Sequence, residues 1–198
     1  GQLVAWNIAT KEKRVLAGEF EGKRFNAPND LVIDAAGGIY FTDPMFRAPQ
    51  PLPQGVQGVY YRGADGKVSR VVKDAPAPNG VLLSRDEKTL YVSNSDDKRR
   101  IWMRYDVAAD GTVRNGRVFF DATADSEGGL PDGMKVDVRG NIWATGPSAV
   151  FVFSPDGIHL GTIKPPEDPA NCGWGDDGRS LYITAETGLY RLRTTVQG

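Results

Sequence analysis

The sequence of 198 residues predicts an all-β protein, a β-propeller made of four-stranded blades. No segment shows the i, i+3, i+4, i+7 spacing of apolar residues that is typical of an amphipathic helix. Instead, β-branched and aromatic residues form short runs bounded by Gly, Pro, Asn and Asp, as in strands joined by turns. In addition, a loop that ends in Pro or Ala followed by Asn or Asp precedes an apolar strand four times.

This repeat is what favours a propeller over other all-β folds. The four copies are Pro28-Asn29-Asp30, Pro78-Asn79-Gly80, Pro131-Asp132-Gly133 and Ala170-Asn171-Cys172. The Asn or Asp returns after 50, 53 and 39 residues, close to the roughly 40–50 residues of a propeller blade. Such units cannot bury their apolar faces alone and must pack side by side. A β-sandwich also has many short strands, but it does not explain why loop, strand, turn and strand return in one fixed order.

The remaining strands of each unit follow in step with this motif. An apolar pair marks the second strand of each unit: Ile39-Tyr40, Leu90-Tyr91, Ile142-Trp143 and Leu181-Tyr182. Third strands are predicted at 58–61, 101–105, 150–153 and 188–192. Three units then have an Asp-Gly hairpin signal that leads into a fourth strand: Asp65-Gly66, Asp110-Gly111 and Asp156-Gly157.

The phase of the repeat defines one propeller domain over residues 1–198. Residues 1–27 are predicted to be a partial blade, and whole blades cover about 28–77, 78–130 and 131–170. Residues 171–198 are predicted to be a last, partial blade. We therefore expect that the N-terminal blade and a half is missing from this chain and that residues upstream of Gly1 supply it in the native protein.

Composition excludes several classes of partner and site. The chain has no apolar run near the roughly 18 residues of a membrane span, so no membrane anchor is expected. The net charge of −1 shows no excess of basic residues of the kind that binds nucleic acid. Cys172 is the only cysteine, which excludes a disulfide framework and a thiolate zinc cluster. His159, the only histidine, is predicted to be exposed beside a hairpin, which removes a Ser-His-Asp hydrolase and a His-rich zinc site.

The motif residues are the candidates for chemistry. In a ring of blades, equivalent positions converge on the axis, so Asn29, Asn79 and Asp132 are expected to lie together. Asn and Asp often cap turns, which would explain any one of them alone. Three in register favour a shared site, and their oxygens suit Ca²⁺ or Mg²⁺. Asn171 holds the same repeat position, but its motif lacks the proline, and it is left outside the predicted ligands.

Six segments carry a resemblance to a known family. They are RFNAPNDLVID (24–34), GIYFTDP (38–44), PNGVLLSRDEKTLYVSNSD (78–96), RRIWMRYDVAADG (99–111), GGLPDGMKVDVRGNIWATG (128–146) and LYITAETGLYRLR (181–193). With these motifs the chain resembles the SMP-30/gluconolactonase/luciferin-regenerating family of six-bladed propellers, and most of all its bacterial gluconolactonases.

The resemblance implies a single divalent cation on the propeller axis, bound by Asn79 and Asp132. Asn29 is then a further metal ligand or a substrate contact. Calcium is the expected ion, with zinc, magnesium and manganese as alternatives. A glutamate ligand from the first blade of the family has no counterpart here and would lie before Gly1.

The implied activity is hydrolysis of the ester bond of a sugar lactone to give the aldonic acid. We expect Asp132 to be the general base or to orient the attacking water, and Asn29 to hold a substrate oxygen. The alternatives are an organophosphate hydrolase of phosphotriesterase type and, if the upstream glutamate is absent, a binding propeller without catalysis. The expected partner is a small-molecule lactone in the cytoplasm or periplasm, with neither nucleic acid nor membrane involved.

Two loops are candidates for the border of this site. The segment 44–56 has four prolines and is predicted to be a stiff loop over the motif face, or else a plain surface connection. Asp125 and Glu127 precede the third motif and are predicted either to border the pocket or to belong to a surface loop.

Overall fold

A computed structural model describes residues 1–73 and 75–198, which form nineteen strands and no helix. This part of the chain accordingly has no helix long and apolar enough to cross a membrane. Before the first motif there are two hairpins, β1 (Leu3–Trp6) with β2 (Lys13–Ala17) and β3 (Glu19–Phe20) with β4 (Lys23–Arg24).

Three four-stranded antiparallel sheets and one three-stranded sheet follow. The first sheet contains β5 (Leu31–Ile33), β6 (Ile39–Asp43), β7 (Gly58–Arg62) and β8 (Val68–Val72). The second contains β9 (Pro78–Leu83), β10 (Thr89–Asp96), β11 (Arg99–Val107) and β12 (Val113–Asp121). The third contains β13 (Met134–Val136), β14 (Ile142–Gly146), β15 (Ala149–Phe153) and β16 (His159–Ile163). The last contains β17 (Pro169–Gly175), β18 (Ser180–Ala185) and β19 (Gly188–Arg193).

In each of these four sheets the spatial order of the strands is their order in the chain, so every sheet is an antiparallel meander. The sheets are arranged side by side as the blades of a propeller. The predicted fold class, an all-β propeller of four-stranded blades, is confirmed.

The core lies between neighbouring sheets. Tyr40 and Val59 of the first sheet pack with Leu90 and Ile101 of the second in one buried cluster. A second cluster joins the second and third sheets around Trp102, whose side chain is fully buried. At about 25 cal/mol per Å² of apolar surface removed from water, these contacts between blades are the main stabilising term.

The first two sheets are also in close contact at the end of the propeller opposite the motif loops. Gly111 has φ +81° in one of the predicted Asp-Gly turns, and a Cβ there would come within 2.0 Å of the Tyr61 ring. The backbone carbonyl of Gly111 accepts a hydrogen bond of 2.8 Å from the Tyr40 hydroxyl. Glycine is therefore required both for the turn and for the contact between blades.

The motif loops meet because the first strand of each sheet lies beside the first strand of the next. A hydroxyl on the second strand bridges this gap in two places. The Thr42 hydroxyl donates to the Asn79 carbonyl at 2.7 Å, and that of Thr145 donates to the Ala170 carbonyl at 2.9 Å. These bonds hold successive motif loops at the same end of the propeller.

Candidate functional site

One pocket, with a volume of about 570 Å³, opens where the motif loops meet. Its lining residues are Ala27, Pro28, Asn29, Asp30, Phe46, Arg47, Asn79, Asp132, Ala170 and Asn171. The structure thus brings Asn29, Asn79 and Asp132 to the same pocket. All four copies of the motif contribute to it.

The asparagines of the first two motifs, Asn29 and Asn79, are in direct contact. Asn29 Nδ2 donates a hydrogen bond of 2.6 Å to Asn79 Oδ1. The Asn29 backbone N–H is fixed by the carbonyl of Thr42 at 2.9 Å, and Asn79 is almost fully buried. An amide oxygen has two lone pairs, so Asn79 Oδ1 retains one for another partner.

The nitrogen of the Asn79 amide faces the neighbouring strand. Asn79 Nδ2 donates to the Ser95 hydroxyl at 2.9 Å, and the Ser95 hydroxyl donates to the Pro131 carbonyl. Since Pro131 directly precedes Asp132, these bonds connect the second and third motif loops.

Asp132 supplies a partly buried carboxylate at the start of the third sheet. Its backbone N–H bonds to the Thr145 carbonyl at 3.0 Å. Burial raises the pKa of Asp132 to about 7, a hydrogen bond from the Asn79 side chain opposes this change, and the charge of the Asp30 carboxylate adds to it. In residues 1–73 and 75–198, neither lysine nor arginine forms an ion pair with Asp132.

Asp30 is a second carboxylate at the pocket, and the sequence analysis did not single it out. Its Oδ2 accepts the Val81 N–H at 3.1 Å, and its Oδ1 accepts the Leu31 N–H at 2.9 Å. It therefore also joins the first two sheets. Its position inside the first Pro-Asn-Asp motif was the available signal.

Asn171 also lines the pocket, although it was left outside the predicted ligands. Its partner in β18 is Thr184, although the pairing of β17 with β18 is irregular between Pro169 and Asn171. A Cβ on Gly133 would lie 2.1 Å from Asn171 Oδ1, which shows how tightly the third and fourth motifs approach each other. The Cys172 N–H donates to the same Oδ1 at 2.8 Å.

The loop 44–56 contributes Phe46 and Arg47 to the pocket lining. Phe46 is 44% exposed, so its ring is accessible at the edge of the pocket. By contrast, Asp125 and Glu127 are outside the set of residues that lines the pocket. Glu127 pairs instead with Lys164 at 3.0 Å.

The single histidine and the single cysteine are also outside the set of residues that lines the pocket. His159 is exposed at the start of β16, and its Nε2 lies 2.9 Å from the Gly161 carbonyl. Cys172 is buried, and burial raises the pKa of its thiol to about 12. This thiol is therefore not a nucleophile at neutral pH.

The donor set fits a hard divalent cation. In the described chain, no three side chains of His, Cys, Asp and Glu are grouped as a metal cluster. The pocket instead offers amide oxygens together with the carboxylates of Asp132 and Asp30. Oxygen ligands of this kind suit Ca²⁺ or Mg²⁺. Within the described residues the partly buried Asp132 carboxylate has no cationic partner, so a bound cation would compensate its negative charge.

Comparison with known proteins gives consistent results. The profile of the SMP-30/Gluconolactonase/LRE-like region matches residues 1–187. The chain is 36% identical to the gluconolactonase of Zymomonas mobilis, over 96% of this chain and 56% of that protein. Among solved structures, XC5397 from Xanthomonas campestris, described as a gluconolactonase, superimposes with a TM-score of 0.84 at 34% identity over 94% of this chain and 63% of that one.

A calcium-binding protein, regucalcin from Agrobacterium tumefaciens, superimposes with a TM-score of 0.80 over 100% of this chain and 71% of that one. At 24% identity this likeness supports the fold alone. The chain spans 56% of the length of the Zymomonas mobilis protein.

Proposed function

This chain belongs to the SMP-30/Gluconolactonase/LRE-like family, and from that premise we propose that the protein is a divalent-metal-dependent sugar lactonase. It opens the ester bond of an aldonolactone to give the aldonic acid. The observation that carries this proposal is the convergence of Asn29, Asn79 and Asp132 on one pocket. The gluconolactonases among its relatives support the substrate class.

The side chains of Asn29, Asn79 and Asp132 would bind the cation, for which we propose Ca²⁺. When bound, it supplies a Lewis acid that polarises the lactone carbonyl and stabilises the negative charge that develops on the carbonyl oxygen. Neutral amide ligands suit this role, because they leave most of the positive charge uncompensated.

Asp132 is the proposed general base. In the reaction, water adds to the carbonyl carbon, the bond from this carbon to the ring oxygen breaks, and a proton is delivered to the departing oxygen. A carboxylate in the pocket takes the proton from the attacking water and can return it to the leaving alkoxide. Asn29 would hold a hydroxyl or the ring oxygen of the substrate, because its amide group can both donate and accept.

The experiment that tests the function measures proton release from glucono-1,5-lactone with a pH indicator. We expect hydrolysis by the protein loaded with Ca²⁺ and its loss after chelation, with recovery when the ion is returned. Activity that survives complete removal of the metal would contradict a metal-dependent lactonase. A parallel assay with a phosphofluoridate tests the alternative, an organophosphate hydrolase. Hydrolysis of the phosphofluoridate without hydrolysis of the lactone would replace the lactonase proposal.

Metal binding can be tested without turnover. Isothermal titration with Ca²⁺ is expected to show one site per chain, and Asn79→Ala should weaken binding by about tenfold or more, since a buried ligand oxygen is removed. Asn7→Ala is the control, because the Asn7 side chain is likewise hydrogen-bonded, to the N–H groups of Ala9 and Thr10, but lies in the β1–β2 turn. Equal affinity of the two variants would exclude Asn79 as a ligand.

Phe46 is proposed to pack against the apolar C–H face of the sugar ring. Phe46→Ala should therefore raise KM for the lactone several-fold and leave kcat nearly unchanged, as expected when binding common to ground and transition states is lost. Met45→Ala is the control, because Met45 is a neighbouring side chain that is 50% exposed and does not line the pocket. Unchanged KM in the Phe46 variant would remove the ring from substrate binding.

A further inference from the structure

We propose that Ser95 is a positioning residue that fixes the orientation of the Asn79 amide, so that the oxygen and not the nitrogen of this amide is available to the cation. The inference rests on the proposed metal site. Ser95 is not itself assigned as a ligand or as a catalytic group.

Ser95 is held in place by its own backbone. It lies near the end of β10, and its N–H donates to the Ala77 carbonyl at 2.8 Å, in the loop that leads into the second motif. Its side chain is half-buried beside the pocket residue Asn79.

The polarity of the hydrogen bonds determines which way the amide points. The Ser95 hydroxyl has a single hydrogen, which it donates to the Pro131 carbonyl. Towards Asn79 it can therefore offer only a lone pair, which accepts an N–H and repels an amide oxygen. Asn79 Nδ2 is accordingly the atom that lies 2.9 Å from Ser95 Oγ, and the Asp132 carboxylate, which also accepts from the Asn79 amide, favours the same orientation.

The opposite side of the same amide is then available for binding. With Nδ2 directed to Ser95, Asn79 Oδ1 is directed to Asn29, whose Nδ2 lies 2.6 Å away. A reversed amide would present hydrogen atoms to a cation and lose a ligand. An amide has nearly the same shape in both orientations, so packing alone does not discriminate between them.

Ser95 also links two of the proposed ligands. The Pro131 carbonyl that accepts its proton belongs to the residue before Asp132. A change at Ser95 therefore affects the orientation of Asn79 and the anchoring of the loop that carries Asp132. Ser93 is a useful contrast, because its hydroxyl accepts the backbone N–H of Gly80 at 2.7 Å and bonds to no side chain of the pocket.

Three variants and a spectroscopic readout test this role. In titrations with Ca²⁺, Ser95→Ala should weaken affinity by roughly tenfold, the loss expected when one hydrogen bond no longer selects the amide orientation. Ser95→Thr keeps the hydroxyl and should restore affinity to within about twofold of the unmodified chain. Ser93→Ala should lower Tm and leave Ca²⁺ affinity unchanged. If Ser95→Ala does not fold, Ser95→Cys replaces it, because a thiol has a similar shape and is a weak acceptor.

The second measurement is NMR of the Asn79 side-chain NH₂ group in the metal-free protein. Its two protons should be well separated in the unmodified chain, and Ser95→Ala should shift the proton that points to the hydroxyl. Unchanged affinity in Ser95→Ala or an unchanged Asn79 NH₂ signal would overturn the positioning role. If the unmodified chain binds no Ca²⁺, the proposed function fails by itself, and the NMR comparison still decides the role of Ser95.

Discussion

Replacing Asp132 by asparagine is expected to abolish lactone hydrolysis while the fold is retained. Asparagine has the same shape, but its amide cannot accept the proton of the attacking water. A positioned general base contributes about 10²–10⁴-fold, and the loss of a charged ligand adds to this effect. The decrease should appear in kcat/KM for an aldonolactone in the presence of saturating Ca²⁺.

The fold should tolerate this change because Asp132 is a partly buried carboxylate without a cationic partner in the described chain. Removing such a charge does not break an ion pair, so Tm of the metal-free protein should not fall. Asp125→Asn is the control, since Asp125 lies in the loop before the same motif and caps the Glu127 N–H at 3.0 Å. Full activity in the Asp132 variant would remove this residue from the mechanism.

Gly80→Ala is expected to be the most destabilising of the small substitutions at the site. A Cβ at this position would lie 2.2 Å from the backbone oxygen of Asp132 and 2.9 Å from its carbonyl carbon. Because backbone atoms cannot move aside like the end of a side chain, the second and third sheets must separate. Overpacking of this kind costs about 1–3 kcal/mol, occasionally more, and each kcal/mol lowers Tm by about 2–4 °C in a chain of this size.

Urea denaturation and thermal melting measure this effect. Gly161→Ala is the matched control, because Gly161 lies in β16 and a Cβ there has no atom within 4 Å. It should be neutral or slightly stabilising, since alanine has less backbone freedom to lose than glycine. The Gly80 variant should also bind Ca²⁺ more weakly, because Asn79 and Asp132 lie on the two sheets that separate. Equal melting temperatures for the two variants would contradict the close approach at Gly80.

The positions of the motif residues were predictable because the same short sequence pattern recurs in each blade. Asn29 and Asp132 stand two residues before the first strand of their sheets and Asn79 is the second residue of β9, so knowledge of the repeat was sufficient to expect them at one end of the propeller. The fourth copy shows where this reasoning fails. Asn171 lacks the preceding proline, yet the strand pairing of β17 with β18 places it in the same pocket.

Other site residues carry no signal in the repeat. Ser93 and Ser95 are two residues apart on the same strand, and both read as ordinary polar strand residues. Their partners are different, however: a backbone N–H of β9 for Ser93, and the Asn79 amide together with the Pro131 carbonyl for Ser95. The roles of these hydroxyls depend on the neighbouring strand β9 and, for Ser95, also on the loop that leads into the next sheet, and the sequence of β10 contains neither.

The sequence by itself determined the strands, the turns and the all-β propeller, because alternating apolar residues and Asp-Gly turns act over a few residues. It also determined which oxygen-bearing side chains recur in register. Only the tertiary structure decided that Asp30 and Asn171 share the pocket, that Phe46 and Arg47 border it, and that the Ser95 hydroxyl bonds to both the Asn79 amide and the Pro131 carbonyl. These contacts join residues that are distant in the chain, most of them on different sheets, and their geometry follows from how strands and blades pack, which no local pattern specifies.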